Sequence, residues 1–202
     1  MARPSNTEER RTEIVEAMLR VMARQGYAKA SVAAVAREAG LAPGLLHYHF
    51  RTKQEILLAL IERLAQSVAA RFERSRARTP EGRVHAWIDA HLAQGEGAEP
   101  AAVACWVALG NEALSEPDVR AAYVRVIERD RALLEELVRE ALRAKGARTH
   151  DARRIAAGLL AAVEGAFRLA VLAPEVIPEG AAAQTVRQMA DGLLAAAGGK
   201  GR

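Results

Sequence analysis

Apolar residues recur at three- and four-residue spacing along most of the chain, which is the pattern of amphipathic α-helices. Runs of alternating β-branched residues are absent, and alanine, the strongest helix former, dominates the composition. The pattern therefore predicts an all-α protein of about nine helices. In chain order, the predicted helices cover residues 7–25, 32–39, 43–50, 53–75, 80–95, 101–114, 115–145, 150–173 and 180–197.

Capping signals mark several of the predicted helix ends. Thr52 with Glu55 forms a capping box before the fourth helix, and Ser5 with Glu8 forms one before the first. Gly146 supplies the left-handed residue that ends the seventh helix. These signals make the element boundaries more definite than periodicity alone would.

Residues 31–53 predict two short helices joined by a tight turn. Ser31 is a suitable N-cap for the first helix, and Gly40 can adopt the left-handed conformation that ends it. Pro43 suits the first position of the second helix, where its missing N–H would have no partner in any case. The segment predicts a helix-turn-helix in which the second helix enters a major groove of DNA. An ordinary helical hairpin is the alternative. The outward residues of the second helix are Pro43, Gly44, Leu45, His47 and Tyr48.

The charge distribution agrees with a phosphate-facing N-terminal segment. Residues 1–53 hold nine Lys and Arg against five Glu, a net charge of +4, which equals the formal net charge of the whole chain. Contacts between cationic side chains and phosphates supply most of the sequence-independent affinity for DNA. A solvated charged face would show a similar excess, so the charge supports the DNA-binding hypothesis without establishing it.

The sequence GLAPGLLHYHFRTK at residues 40–53 resembles the DNA-binding signature of the tetracycline-repressor (TetR) family of bacterial regulators. The resemblance covers roughly residues 7–60. It implies a recognition helix beginning near Ala42 and Pro43. Ala42 stands where the family usually has a Ser cap, and Leu45 stands where a small or hydroxyl residue is common. Leu45 offers only apolar contact, for example to a thymine methyl group. The resemblance implies phosphate contacts at His47, Tyr48, His49 and Lys53. The predicted DNA-binding residues are Ser31, Ala42, Pro43, Gly44, Leu45, His47, Tyr48, His49 and Lys53.

The predicted organisation is a helix-turn-helix DNA-binding domain at 1–53, a connecting fourth helix at 53–75, and a helical-bundle effector and dimerisation domain at 76–202. No apolar run reaches about 18 residues without charge, and the N-terminus has no signal-peptide core, so a soluble cytoplasmic protein without a membrane partner is expected. The single cysteine, Cys105, lies in an apolar stretch. It is expected to be a small core residue rather than a redox sensor.

The eighth predicted helix suggests a homodimer interface. Small residues are interleaved with large apolar ones between Ala156 and Ala166, which leaves nearly every face apolar or small. Such a helix needs burial on all sides, and a bundle across a two-fold axis would provide it. Burial within one monomer is the alternative. The predicted interface residues are Ile155, Leu159, Ala162, Val163 and Ala166.

A small-molecule effector site is predicted in the domain of residues 76–202, called the body below, because the resemblance implies a pocket among the middle helices. Trp87 and His91 are four residues apart and share a helix face. The stretch from Cys105 to Tyr123 resembles the effector domain of regulators related to the choline-responsive repressor BetI. A cationic effector would favour an aromatic cage with a carboxylate, which Trp87, Trp106 and Glu112 could form. The predicted ligand-binding residues are Trp87, His91, Trp106, Glu112, Tyr123 and Phe167.

Enzymatic activity is not expected. His85 and His91 are six residues apart and lie on different helix faces, so they do not form a metal-binding pair. The sequence has no phosphate-binding Gly loop and no nucleophile-elbow motif, and no cofactor is predicted. The predicted function is therefore a ligand-released repressor that binds a near-palindromic operator in double-stranded DNA. The alternatives are a helical ligand- or partner-binding protein with a non-functional DNA head, and a constitutive nucleoid-type binder without an effector.

Overall fold

The computed structural model describes residues 6–92 and 99–198, and these residues form an all-α fold, as the sequence predicts. A short 3-10 turn at Thr149–Asp151 precedes α8. The predicted cap at Ser5, the predicted end of the fifth helix near Gly95 and the basic tail lie outside the described residues. The helices of the described part are α1 (Asn6–Lys29), α2 (Val32–Glu38), α3 (Pro43–His49), α4 (Lys53–Glu73), α5 (Pro80–Leu92), α6 (Pro100–Glu112), α7 (Pro117–Ala144), α8 (Ala152–Leu172) and α9 (Ala181–Gly198).

The chain forms two compact units. The first contains the described residues of Met1–Gln66 and Glu99–Val126, and the second contains those of Ser67–Ala98 and Ile127–Arg202. Both α4 and α7 contribute residues to both units. The division differs from a simple cut after the fourth helix because α6 packs against α1 and adds Cys105 and Leu109 to the core of the first unit. The functional division into a DNA-binding and an effector domain stays a prediction.

The first unit is built around α1, whose buried side packs against α2, α3 and α6. The predicted first helix ends near residue 25, and in the structure the helical conformation is interrupted at Gly26, which has a φ of 76°. An ion-pair network ties the unit together through Arg63 of α4. Its guanidinium donates to the Glu16 carboxylate at 2.6 Å and to the Glu99 carboxylate at 2.8 Å. These contacts hold α1, α4 and the start of α6 together.

The second unit packs α5, α8 and α9 against one another, with part of α7 completing its core. Helix α8 is long and apolar enough by length and composition to span a membrane. Its apolar stripe is nevertheless buried in the core of its own unit, and a core helix passes the same test of composition. The composition of α8 therefore carries little weight as a sign of membrane insertion.

The placement of α8 bears on the predicted dimer interface. Ile155, Leu159, Val163 and Ala166 are buried in the core of a single copy of the chain, and Ala162 packs against the same core. The small residues interleaved with them form the exposed side of the helix instead. This burial agrees with the alternative of burial within one monomer, and the dimer interface itself stays a prediction. Composition marks every apolar position of α8 but cannot tell which stripe packs on the chain's own helices. The exposed residues of α8 are Arg153, Arg154, Ala157, Gly158, Ala161, Gly165, Arg168, Leu169, Ala170, Val171 and Leu172.

Candidate nucleic-acid interface

Local interactions shape the α2–turn–α3 segment as the sequence predicts. The Ser31 hydroxyl caps α2 by accepting a hydrogen bond from the Ala34 backbone N–H at 3.1 Å. Gly40 has a φ of 67°, the left-handed conformation that favours glycine. Pro43 opens α3, while Ala42 before it provides no side-chain cap. The helix-turn-helix therefore forms from the residues identified in the sequence, without the additional cap that a Ser at position 42 would offer.

Helix α3 is held in place from behind by apolar burial and by one arginine. Leu46 and Phe50 are fully buried against the core of the first unit. The Arg11 guanidinium of α1 donates a hydrogen bond to the His49 carbonyl and lies 4.0 Å from the centroid of the Phe50 ring. Arg11 thus anchors the C-terminal end of α3. Sequence analysis missed this role because Arg11 is one of several charged residues on the polar face of α1.

A second set of arginines orients α2. The Glu38 carboxylate accepts a hydrogen bond from Arg24 and another from Arg20 at 2.7 Å, both on α1. These bonds hold the pKa of Glu38 below its usual value. Two arginines of the basic N-terminal segment are therefore already paired within the protein. The count of nine Lys and Arg in this segment therefore overstates the number of cations available to phosphate.

The predicted DNA-facing residues lie on the solvent side of α3. Tyr48 is 78% exposed and Leu45 is 46% exposed. His49 is half-buried, and its ring meets the Tyr48 ring edge-on with centroids 5.2 Å apart. The structure therefore presents these side chains outward, while their contacts with DNA stay a prediction. The exposed members of the set are Ala42, Pro43, Gly44, Leu45, His47 and Tyr48.

Lys53 at the start of α4 already has an intramolecular partner. Its ammonium donates to the Tyr27 carbonyl at 2.6 Å and lies 3.6 Å from the centroid of the Tyr27 ring. Partial burial lowers the pKa of Lys53, and the charge of Glu112 acts in the opposite direction. An ammonium has three N–H donors, so one bond to Tyr27 leaves two for another acceptor. The predicted phosphate contact is compatible with this position.

The cap of α4 differs in detail from the predicted box. The Thr52 hydroxyl accepts from the Glu55 backbone N–H at 3.1 Å, as expected. The Glu55 carboxylate, however, accepts from the Arg51 N–H at 2.9 Å, one residue before the predicted position. The hydrogen bond accepted by the Glu55 side chain shifts from residue 52 to residue 51 because the chain turns sharply at Arg51 between α3 and α4. The start of α4 at Lys53 is unaffected.

The six predicted ligand-binding residues are divided equally between the two units. In the second unit, Trp87 is 1% exposed and its ring lies 3.9 Å from that of His91, while the Phe167 ring is 6.5 Å from His91. The His91 Nδ1 pairs with the Trp87 carbonyl at 2.8 Å, and its Nε2 lies 3.6 Å from the Asp130 carboxylate. This group forms an aromatic cluster with an acidic neighbour.

In the first unit, Trp106 stacks on Tyr123 with ring centroids 4.5 Å apart. Glu112, at the end of the same helix as Trp106, is close enough to Lys53 and Tyr27 to influence their pKa values. Trp106 and Glu112 belong to the first unit and Trp87 to the second, so the structure does not test the predicted cage of these three residues. It stays a prediction.

Cys105 is fully buried in the core of the first unit, and its Sγ donates to the Leu19 carbonyl at 3.3 Å. Burial raises its pKa to about 12. The thiolate is the reactive form of cysteine, and this environment disfavours it. Cys105 is a core residue in this structure, in agreement with the sequence analysis.

Comparisons with known proteins address the helix-turn-helix and the body separately. Residues 14–60, which include α2, α3 and the start of α4, match the profile of bacterial regulatory proteins of the TetR family. Residues 80–195 match the profile of the C-terminal region of BetI-type transcriptional repressors. The chain belongs to the TetR family of bacterial regulatory proteins. It is a DNA-binding transcriptional regulator whose body is of the BetI type.

Relatives within the TetR family include regulators named BetI. The chain is 34% identical over 163 residues to the transcriptional regulator BetI of Rhizobium meliloti, covering 78% of this chain and 76% of that protein. It is 28% identical over 190 residues to the regulator BetI 2 of Chromohalobacter salexigens, covering 92% and 88% of the two chains. The similarity therefore extends beyond the helix-turn-helix into the body.

Solved structures of transcriptional regulators share the fold. One from Rhodococcus sp. Rha1 has a TM-score of 0.80 at 24% identity, covering 93% of this chain and 97% of that one. A TetR regulator from Haloarcula marismortui has a TM-score of 0.81 at 21% identity, covering 94% and 98%. A regulator from Saccharomonospora viridis, solved in complex with choline, has a TM-score of 0.76 at 23% identity, covering 93% and 96%. At these identities the likeness concerns the fold alone.

Proposed function

We propose that this TetR-family regulator is a ligand-released repressor that binds a near-palindromic operator as a homodimer. The observation that carries the proposal is the presentation of α3, which exposes Leu45 and Tyr48 while Leu46 and Phe50 anchor it from behind. Two-fold symmetry would place two copies of α3 in successive major grooves. The competing hypothesis is a helical ligand- or partner-binding protein with a non-functional DNA head.

The proposed dimer interface is the exposed side of α8 together with α9. Ala157, Gly158, Ala161 and Gly165 leave the middle of this side without any side chain larger than a methyl group, and the exposed Arg154 and Arg168 lie at its two ends. A second helix could therefore approach closely along the middle. Leu169 and Leu172 continue the same side with apolar surface. Helix α9 adds Met189, which is 46% exposed. A symmetric interface requires such a self-complementary surface.

The proposed effector is a small cationic molecule that binds in the body, and the protein is proposed to act in the cytoplasm without catalysing a reaction. The choline complex of a structural relative supports a cationic effector. In the second unit, Asp130 beside His91 and Phe167 combines aromatic surface with negative charge, as a cation favours. Release of the operator requires the effector to bind one conformation of the protein more tightly than the other, typically by about 1–3 kcal/mol of binding free energy. Helix α4 contributes to both units and would transmit the change.

Selection of bound DNA from a random pool tests the proposal. We expect a palindromic consensus whose half-sites are separated by about 10 base pairs or a multiple, the repeat of the DNA helix. Recovery of unselected sequences alone would contradict the proposal. That result would favour the non-functional head or a sequence-tolerant binder.

Leu45→Thr is expected to change the preferred base at one symmetric position of each half-site. Leu45 is exposed at the start of α3, where base edges are approached, and Thr replaces an apolar contact with a hydrogen-bonding hydroxyl. Repeating the selection with the variant measures the change. An identical consensus would remove Leu45 from the reading surface. Arg37→Gln, an exposed change on α2, serves as a control that leaves the consensus unchanged.

Lys53→Ala is expected to weaken binding to operator and to random DNA to a similar extent. Loss of one phosphate contact should reduce the slope of log affinity against log salt by about one unit. Fluorescence anisotropy over a salt series measures both quantities. Lys29→Ala removes an exposed lysine outside the predicted contacts and should leave the slope unchanged. If Lys53 serves only to hold Tyr27, thermal stability will fall while the slope stays at its original value.

A further inference from the structure

A second concentration of positive charge lies in the body, far along the sequence from the DNA-binding head. Residues 74–83 and 140–154 together hold nine Lys and Arg against three acidic residues, a net charge of +6 in a chain whose total is +4. Two ion pairs join the segments: Glu81 with Lys145 at 2.9 Å, and Arg83 with Glu140 at 2.7 Å. Both segments belong to the second unit. We call this surface the basic pole.

The acidic residues of the basic pole are already neutralised within it. Besides Glu81 and Glu140, the third acid is Asp151, which pairs with Arg154 at 3.0 Å. The other arginines are exposed, and within the described part of the chain their guanidinium groups have no carboxylate partner. They come from the loop after α4, from the last turn of α7, from the segment that follows it and from the first turn of α8. These arginines are Arg74, Arg76, Arg78, Arg143, Arg148 and Arg153.

The surroundings of these arginines favour a phosphate polyanion over a protein or a membrane. The large exposed hydrophobic residues in the described part of the chain all lie outside the basic pole. Protein interfaces depend on buried aromatic and aliphatic anchors, and membrane-surface segments need apolar side chains to insert. The basic pole offers arginine guanidinium groups, whose paired N–H donors match the geometry of phosphate oxygens. The N-termini of α5 and α8, which lie in these segments, add further positive potential.

We propose that the basic pole binds the phosphate backbone of duplex DNA, as a second contact that is separate from α3 and independent of sequence. This contact goes beyond operator recognition, because it does not require α3 to read bases. It adds to the affinity of the regulator for any duplex and makes that affinity more sensitive to salt. It also explains why the body, and not only the head, carries exposed cations without carboxylate partners.

The experiment isolates the basic pole from the head. Leu45→Glu with Tyr48→Glu places negative charge on the exposed side of α3 in the full-length chain, which repels the DNA backbone from α3 and weakens the contribution of the head. Binding of this variant to a long random-sequence duplex is followed by fluorescence anisotropy. We expect it to retain a salt-dependent affinity. Adding R76Q and R148Q makes one change in each segment. It should reduce the slope of log affinity against log salt by about 1.8 per bound protomer. The loss of affinity between about 50 and 200 mM salt should then be about tenfold smaller than in the parent variant.

The matched control is R120Q with R125Q, which removes two exposed arginines from the first unit, outside the basic pole. These changes should leave the slope as it was. An unchanged slope in R76Q/R148Q, or an equal reduction in the control, would overturn the proposal. Polyglutamate competing as well as DNA would overturn it in favour of an acidic protein partner. The proposal would also be overturned, in favour of a membrane, if R76Q/R148Q abolished binding to phosphatidylglycerol vesicles and left DNA binding intact.

Discussion

Ala161→Glu is expected to convert the regulator into a monomer and to lower its operator affinity by at least about a hundredfold. In a single copy Ala161 is exposed on α8, so a glutamate there is solvated and the fold is preserved. In the proposed dimer the same position is covered by the partner. A buried charge without a partner costs about 3–5 kcal/mol, and symmetry introduces one in each subunit. A monomer has one head, so it loses the half-site contacts of the second.

Sedimentation velocity measures the assembly, and circular dichroism checks that the monomer is folded. Ala132→Glu is the matched control, because Ala132 is also exposed and helical but belongs to α7 and not to α8. If Ala132→Glu dissociates the dimer while Ala161→Glu does not, the interface lies on α7. Ala162→Glu would be less informative, because Ala162 packs against the core of its own unit. It would damage the fold as well as any interface.

Trp87→Ala is expected to destabilise the protein by about 3–5 kcal/mol, the range for truncating a large buried aromatic residue. Trp87 is 1% exposed and packs in the core of the second unit. Its removal leaves a cavity and exposes one face of His91. Urea denaturation followed by circular dichroism measures the loss. Trp87→Phe, which keeps most of the volume, should cost much less.

Trp106→Ala provides the comparison with the other predicted cage residue. Trp106 is only half-buried, and its stacking on Tyr123 is worth about 0.5–1.5 kcal/mol beyond the area that it buries. The destabilisation should therefore be smaller than that of Trp87→Ala. A loss below about 1 kcal/mol for Trp87→Ala would contradict the burial of Trp87 in the core of the second unit.

The helix-turn-helix could be predicted in detail because its signals are local. Ser31 acts on the N–H three residues later, Gly40 on its own backbone, and Pro43 on the helix turn that it begins. None of these effects depends on distant parts of the chain. The same reasoning explains why most helix ends were predicted within a few residues. The all-α class also follows from sequence alone, since periodicity of apolar residues reports the secondary structure that can bury them.

Only the tertiary structure decided which apolar and charged groups meet. In α8 both Val163 and Ala161 suit burial, but only the former faces the helices of its own unit. Trp87 and Trp106 are equally apolar, yet they pack in different units. The partners of Arg11 lie 38 and 39 residues away, on and just after α3, where no periodic pattern connects them. The sequence determined the local elements because their energies arise within a few residues. Packing selects among equivalent faces and distant partners, and that choice depends on the whole arrangement of helices.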